Sequence, residues 1–223
     1  MPRAVVTGAS SGIGAAIAQR LLREDWHVTG IDRAPPTIEA DRFSAVTAAL
    51  DEPGIAAALA GLGDITALVH AAGFMRTSPL GALDHEAGAA MWRVHVAAAA
   101  MLADALLPRT VDGGRIVLMG SRTASGAAGR SQYAASKAAL LGLARSWAAE
   151  LAPRRITVNI VAPGATETPM LRDPARAGTP PRLPPLGRFI RPEEDAGTVA
   201  FLLGEDAAAI TGQQIVICGG ASL

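Results

Sequence analysis

The 223-residue chain balances 20 basic against 20 acidic residues, and half of its residues are hydrophobic. No basic stripe or acidic tail stands out, so nucleic acid and anionic membrane are excluded as expected partners. The single cysteine, Cys218, rules out an internal disulfide framework and fits a reducing compartment.

Strand-like residues begin almost at once, at Ala4, leaving no space before them for a leader peptide. The longest apolar run, Val94 to Leu107, is broken by His95 and Asp104 and reads as a buried helix rather than a span. A soluble, cytoplasmic protein is expected. Nothing in the middle of the chain reads as a linker, so residues 1–223 are taken as one domain.

In chain order, Ala4–Thr7 reads as a strand and Ile13–Arg23 as a helix with apolar residues at Ile13, Ile17 and Leu21. Trp26–Ile31 is a second strand, and Phe43–Val46 a weaker third. A helix follows at about Pro53–Leu62, then a strand at Ala67–His70 and a helix at about Ala87–Leu106. Arg115–Met119 is the fifth strand, Ser131–Leu151 a long helix, and Ile156–Ala162 the sixth strand. Seven prolines between Pro169 and Pro192 forbid a continuous helix there. Glu193–Leu203 is helical and Gln214–Ile217 is the last strand. Strands alternating with helices imply an α/β fold: a doubly wound, Rossmann-type parallel sheet of about seven strands. Such sheets bind ligands beyond the carboxyl ends of their strands.

The turn after the first strand is Thr7-Gly8-Ala9-Ser10-Ser11-Gly12-Ile13-Gly14. Gly8 allows the tight turn, Gly12 lets a pyrophosphate approach backbone, and Gly14 permits close packing of helix on strand. The helix then offers its free N–H groups to the phosphates. Asp32 ends the second strand, where a carboxylate can accept from both ribose hydroxyls and repel a 2′-phosphate. Arg33 beside it partly offsets that repulsion. The reading favours NAD over NADP.

Tyr133 and Lys137 lie four residues apart and share one face of a helix. A free phenol has a pKa near 10. A neighbouring ammonium favours its phenolate, making Tyr133 a candidate acid for carbonyl reduction and base for alcohol oxidation. Lys137 could also bind the nicotinamide ribose. Ser121 ends the fifth strand, where its hydroxyl can hold the substrate oxygen.

Together with Ala71-Ala72-Gly73, Asn159-x-x-x-Pro163-Gly164 and Thr168, these motifs resemble the short-chain dehydrogenase/reductase family over nearly the whole chain. The resemblance implies hydride transfer between a nicotinamide cofactor and a carbonyl or secondary alcohol. It also implies a homotetramer or homodimer built partly on the Tyr133 helix. Ala71, Ala72 and Gly73 would line the cofactor, with Ser10, Ser11 and Ile13 in the glycine turn. Pro163, Gly164 and Thr166 would sit by the carboxamide, Thr168 near the pyrophosphate, and residues 169–192 would form a substrate lid. No metal is expected.

The chain departs from the family pattern in five places. His70 stands where the family usually has an Asn that ties strands together, and a structural role is expected. His95 stands where the family usually has an Asn linking the lysine to solvent. It could replace that relay, substitute passively, or leave the relay impaired. Ala49 replaces an acidic residue near adenine. Cys218 replaces an Asp near the C-terminus and reads as a small buried residue. The stretch from Ser121 to Tyr133 is about one residue short, which Gly126 and Gly129 could absorb. Arg76, Arg122 and Arg172 could meet an anionic substrate or be ordinary surface arginines. The alternative function is a catalytically weak, cofactor-binding regulator or assembly protein.

Overall fold

The computed structural model describes residues 1–174 and 179–223. Seven parallel strands form one sheet: β1 (Arg3–Thr7), β2 (His27–Asp32), β3 (Phe43–Thr47), β4 (Ile65–His70), β5 (Thr110–Met119), β6 (Thr157–Pro163) and β7 (Gln214–Ile217). Their order is β3-β2-β1-β4-β5-β6-β7. The chain winds outward from β1 to β3 and then crosses back to lay β4 on the other side of β1. The reversal leaves a crevice between the carboxyl ends of β1 and β4.

Side chains alternate across the sheet with period two. Ala4, Val6, Ala67, Val69, Val117 and Val161 face one layer, with Ile17 and Leu21 of α1 (Gly12–Arg23) and Val199 and Leu202 of α6 (Pro192–Leu203). Val5, Leu68, Ile116, Leu118, Val158 and Ile160 face the other. There they meet α2 (Glu52–Ala58), α4 (Ala98–Leu106) and α5 (Ser131–Leu151). Both faces are covered, so the inner strands β1, β4 and β6 are buried on both sides and read as near-continuous apolar runs, while the edge strands β3 and β7 stay partly exposed.

Several boundaries differ from the sequence reading. The helix α3 (His85–Trp92) starts early because the Asp84 side chain accepts from the Ala87 N–H at 2.9 Å. The helix α2 ends at Ala58, short of Leu62, before Gly61 in the left-handed region. The strand β5 begins five residues early, at Thr110, with an irregular register against β4 between Ile65 and Ala67.

The single helix expected around Ala87–Leu106 is interrupted by a π-turn, Arg93–Ala97. The Ala98 N–H bonds to Arg93 O, five residues back. Val94 O is thereby left open to a different donor. The stretch His85–Arg109 is long and apolar enough to cross a membrane by composition. In this fold its Ala99, Leu102 and Leu106 are instead packed beneath the sheet.

Candidate active site

A cavity of about 800 Å3 runs along the carboxyl ends of the strands, from Asp32 at one end to Ser121 and Tyr133 at the other. Its floor is the glycine turn. Gly8 and Gly12 have φ of 70° and 54°. A Cβ on Gly14 would lie 2.1 Å from Gly8 O, so no larger residue fits without displacing backbone. Ser11, the N-cap of α1, makes no side-chain cap. The first N–H groups of a 12-residue helix therefore open into the cavity with their partial positive charge. An uncapped helix start, a glycine cradle and a carboxylate at the end of β2 fit a dinucleotide.

The Asp32 carboxylate is held by two backbone donors, Ser10 N–H and Ala34 N–H, each at 3.0 Å. Arg33 and the apolar Ala48, Ala49 and Leu50 complete that end of the cavity. Ser10, expected at the cofactor, does not line the cavity. Its hydroxyl donates to Ala34 O, and its carbonyl accepts from Thr37, tying the loop after β2 to the glycine turn. Ser11, Gly12, Ile13, Gly14, Ala71, Ala72, Gly73, Pro163, Gly164, Thr166 and Thr168 all line the cavity.

His70 makes a network that fixes its own tautomer. Val94 O can only accept, so His70 Nε2 donates to it (2.9 Å). Nδ1 is then the acceptor and receives the Thr7 hydroxyl proton (2.9 Å). Thr7 Oγ1 in turn accepts from Ala71 N–H and Ala72 N–H, both 3.1 Å. The carbonyl freed by the π-turn is thus joined to β1, β4 and the turn that borders the cofactor site. Burial, and then the charge of Lys137, hold His70 down to about 4, so the ring is neutral.

Lys137 is buried, and one of its three protons is spent on Met119 O at 2.7 Å. Desolvation pulls its ammonium down to about 7. Tyr133 is buried in a small cluster with Met75 and Met91. Its ring meets the His95 ring edge-on, with centroids 5.6 Å apart. Both nitrogens of His95 are engaged. Nε2 accepts from Phe74 N–H (3.2 Å), which puts the ring proton on Nδ1. That proton goes to Ser136 Oγ (2.9 Å), and Ser136 donates to Tyr133 O (2.8 Å). Burial, and secondarily Lys137, keep His95 well below its usual range and neutral.

Ser121 caps a short 3₁₀ turn, Arg122–Ser125, by accepting from Thr123 N–H at 3.2 Å. Its hydroxyl also pairs with the Thr123 hydroxyl at 2.9 Å. Thr123 lines the cavity and was missed in the sequence, although a Ser-x-Thr pair closing a strand is a local turn signal. The shortened loop to Tyr133 passes through Gly126 and Gly129 at φ of 110° and 70°, conformations available to glycine. Cys218 is buried, its thiol against Ser222 Oγ at 3.1 Å.

Of the three arginines considered for an anionic substrate, Arg122 lines the cavity. Arg76 is paired with Asp173 at 3.0 Å and stacked over Phe74. Arg172 lies outside the lining. Arg130 and Arg182 line the cavity without having been anticipated; isolated arginines carry no spacing signal.

A family model described as enoyl-(acyl carrier protein) reductase matches residues 8–222. The 3-oxoacyl-(acyl-carrier-protein) reductase FabG of Escherichia coli (strain K12) is 36% identical over 234 residues, covering 97% of this chain and 96% of its own. Dehydrogenase/reductase SDR family member 4 of Bos taurus is 35% identical, covering 97% of this chain and 86% of its own. A Serratia marcescens short-chain dehydrogenase/reductase mutant superposes with a TM-score of 0.86 at 33% identity, over 100% of this chain and 98% of its own. A Brucella melitensis 3-ketoacyl-(acyl-carrier-protein) reductase complexed with NADH superposes with a TM-score of 0.88 at 27% identity, over the same shares.

The chain belongs to the short-chain dehydrogenase/reductase family. It is an oxidoreductase that transfers a hydride between a nicotinamide cofactor and a carbonyl or alcohol substrate. The alternative of a cofactor-binding regulator without useful catalysis is not favoured.

Proposed function

We propose that this enzyme prefers NAD(H) and interconverts a small ketone and its secondary alcohol, with Tyr133 as the acid/base. The observation that carries the cofactor preference is the Asp32 carboxylate, aimed by two N–H groups at the adenosine end of the cavity. A 2′-phosphate beside it would face a like charge, which costs a few kcal/mol at about 4 Å near a surface. The NADH complex of the Brucella reductase agrees with this reading, while a metagenomic blue fluorescent protein of similar fold is described with NADPH.

Gly8, Gly12 and Gly14 and the uncapped first N–H groups of α1 would hold the dinucleotide and its phosphates. Gly73, Pro163, Gly164 and Thr166 would border its nicotinamide half, and Thr168, beside Gly12, its pyrophosphate. When bound, the nicotinamide supplies or accepts the hydride. Ser121 donates to the substrate oxygen, and Thr123 orients that hydroxyl. Tyr133 gives its phenolic proton to the same oxygen during reduction and takes it back during oxidation. Lys137 keeps two donors beyond the one held by Met119 O, and its charge lowers the cost of the phenolate.

His95 is a positioning residue in this reading. A neutral ring with both nitrogens committed to backbone N–H and to Ser136 holds the Tyr133 turn of α5 and passes no proton. Residues 169–192 form the lid, of which 175–178 lie outside the described residues. Assembly through the outer face of α5, where Leu141 is exposed, gives a dimer or tetramer, and light scattering measures it.

The test is a fluorescence titration with NADH and NADPH, beside turnover of a panel of ketones and alcohols. Tighter NADH binding and turnover lost in Tyr133→Phe are expected. NADPH-only activity overturns the Asp32 reading. Turnover that survives Tyr133→Phe overturns the acid/base assignment.

A further inference from the structure

Asp195, in the first turn of α6, is wholly buried, a costly place for a carboxyl. Its Oδ2 accepts the Thr166 hydroxyl at 2.9 Å, while Oδ1 is buried with no hydrogen-bond partner among the described residues. No ion pair among the described residues reaches it. The start of α6 does not need it either, because Glu194 accepts from Arg191 N–H at 2.9 Å and closes the cap. A carboxyl that burdens the fold and bonds a cavity-lining residue is better explained by function than by stability.

Thr166 is buried, lines the cavity and sits in the loop after β6. A parallel bridge ties this loop to Ile190: Ile190 N–H donates to Ala165 O at 2.9 Å, and Glu167 N–H to Ile190 O at 2.8 Å. Those bonds use the groups on either side of Thr166 and leave its own N–H and C=O on the opposite edge. Thr166 O receives the Thr168 hydroxyl at 3.4 Å and keeps a second lone pair. Side chains leave such a chain out of the plane of its hydrogen bonds. The bond to Asp195 therefore restrains the loop in a direction that the Ile190 bridge does not. Its anchor is firm, since α6 is seated in the core through Val199 and Leu202.

We propose that Asp195 is a positioning residue for the nicotinamide end of the cofactor: by holding the Thr166 hydroxyl, it fixes the Thr166 N–H and C=O that receive the carboxamide. The proposal rests on the placement of Thr166 at the nicotinamide half made above. A carboxamide carries both an acceptor and donors, which a backbone N–H and C=O match.

The experiment measures binding by calorimetry for wild type, Asp195→Ala, Asp195→Asn, Thr166→Val and the double variant Asp195→Ala with Thr166→Val. Each is titrated with the reduced dinucleotide that wild type binds more tightly, NADH or NADPH. Each is also titrated with the matching ADP-ribose or its 2′-phosphate, which lacks the nicotinamide. Asp195→Ala and Thr166→Val should each weaken the dinucleotide by about fivefold, the worth of one hydrogen bond, and leave ADP-ribose binding unchanged. The double variant should be no weaker than either single one, because both remove the same bond. Asp195→Asn, whose amide oxygen still accepts from Thr166, should recover most of the affinity. Equal weakening toward both probes shows a general structural role and overturns the proposal, as does unaltered dinucleotide affinity in Asp195→Ala. Wild type that binds ADP-ribose as tightly as the dinucleotide overturns the placement of the nicotinamide at Thr166, and the proposal with it. Where circular dichroism shows Asp195→Ala unfolded, Thr166→Val against Thr166→Ser decides. A selective loss in the valine variant that serine restores supports the proposal, and no difference between them overturns it.

Discussion

His70 offers a direct check on the network that joins the sheet to the cofactor turn. In the folded protein the ring is held neutral, with its pKa lowered to about 4, against 6.5 for an unperturbed histidine. A base whose folded pKa is depressed favours the deprotonated state, so its contribution is complete above pH 6.5. The contribution falls as pH drops toward 4, because the unfolded chain binds a proton that the folded chain does not. Between pH 7.5 and pH 5 those two values correspond to a loss of about 2 kcal/mol.

His95, Lys137 and Asp195 also titrate differently on folding, so the informative quantity is a double difference. Unfolding in urea is measured for wild type and His70→Asn at both pH values. An asparagine can still donate to Val94 O but does not titrate. The stability advantage of wild type over His70→Asn should shrink by about 2 kcal/mol on going to pH 5. A constant advantage would show that the ring is not held neutral by Thr7 and Val94, and the tautomer deduced from Val94 O would fall with it.

Lys137→Met should abolish most turnover, by a factor of at least about 10³, yet raise the melting temperature of the cofactor-free protein near pH 7. A buried ammonium pulled down to about 7 is a cost to folding that methionine does not carry. A lowered melting temperature would contradict this. Asp195 is fully buried and receives the Thr166 hydroxyl at 2.9 Å; burial raises its carboxyl to about 7. An acid with a raised folded pKa loses its stabilising contribution as pH rises through that value. Asp195→Asn should therefore gain on wild type between pH 5 and pH 8 in thermal melts, and a parallel pair of curves counts against it.

Asp32→Ser should narrow the preference for NADH over NADPH by about tenfold or more, read as the ratio of kcat/KM values. An unaltered ratio would locate cofactor selection elsewhere. Gly14→Ala should abolish NADH binding or folding, since its Cβ would collide with Gly8 O. Circular dichroism separates the two outcomes, and normal NADH affinity would refute the collision.

Much of this was legible in the chain itself, because the signals are local. Gly8, Gly12 and Gly14 mark a turn that only glycine can make, and the alternation of strand and helix patterns specifies a doubly wound sheet. Tyr133 and Lys137 share a face by helical spacing alone. Groups set by contacts across the sheet were not legible. Ser10 was expected at the cofactor from its place in the glycine turn, and only the fold shows its hydroxyl donating to Ala34 O. The π-turn at Arg93–Ala97 leaves no periodic signature, and its Val94 O is met by His70 from 24 residues away. His95 as a sequence letter allowed three roles. Only the positions of Phe74 N–H and Ser136 Oγ, brought together by packing, show both of its nitrogens occupied. Arg130 and Arg182 were invisible for the same reason: their meaning lies in facing one cavity from separate segments, and tertiary folding alone decides that.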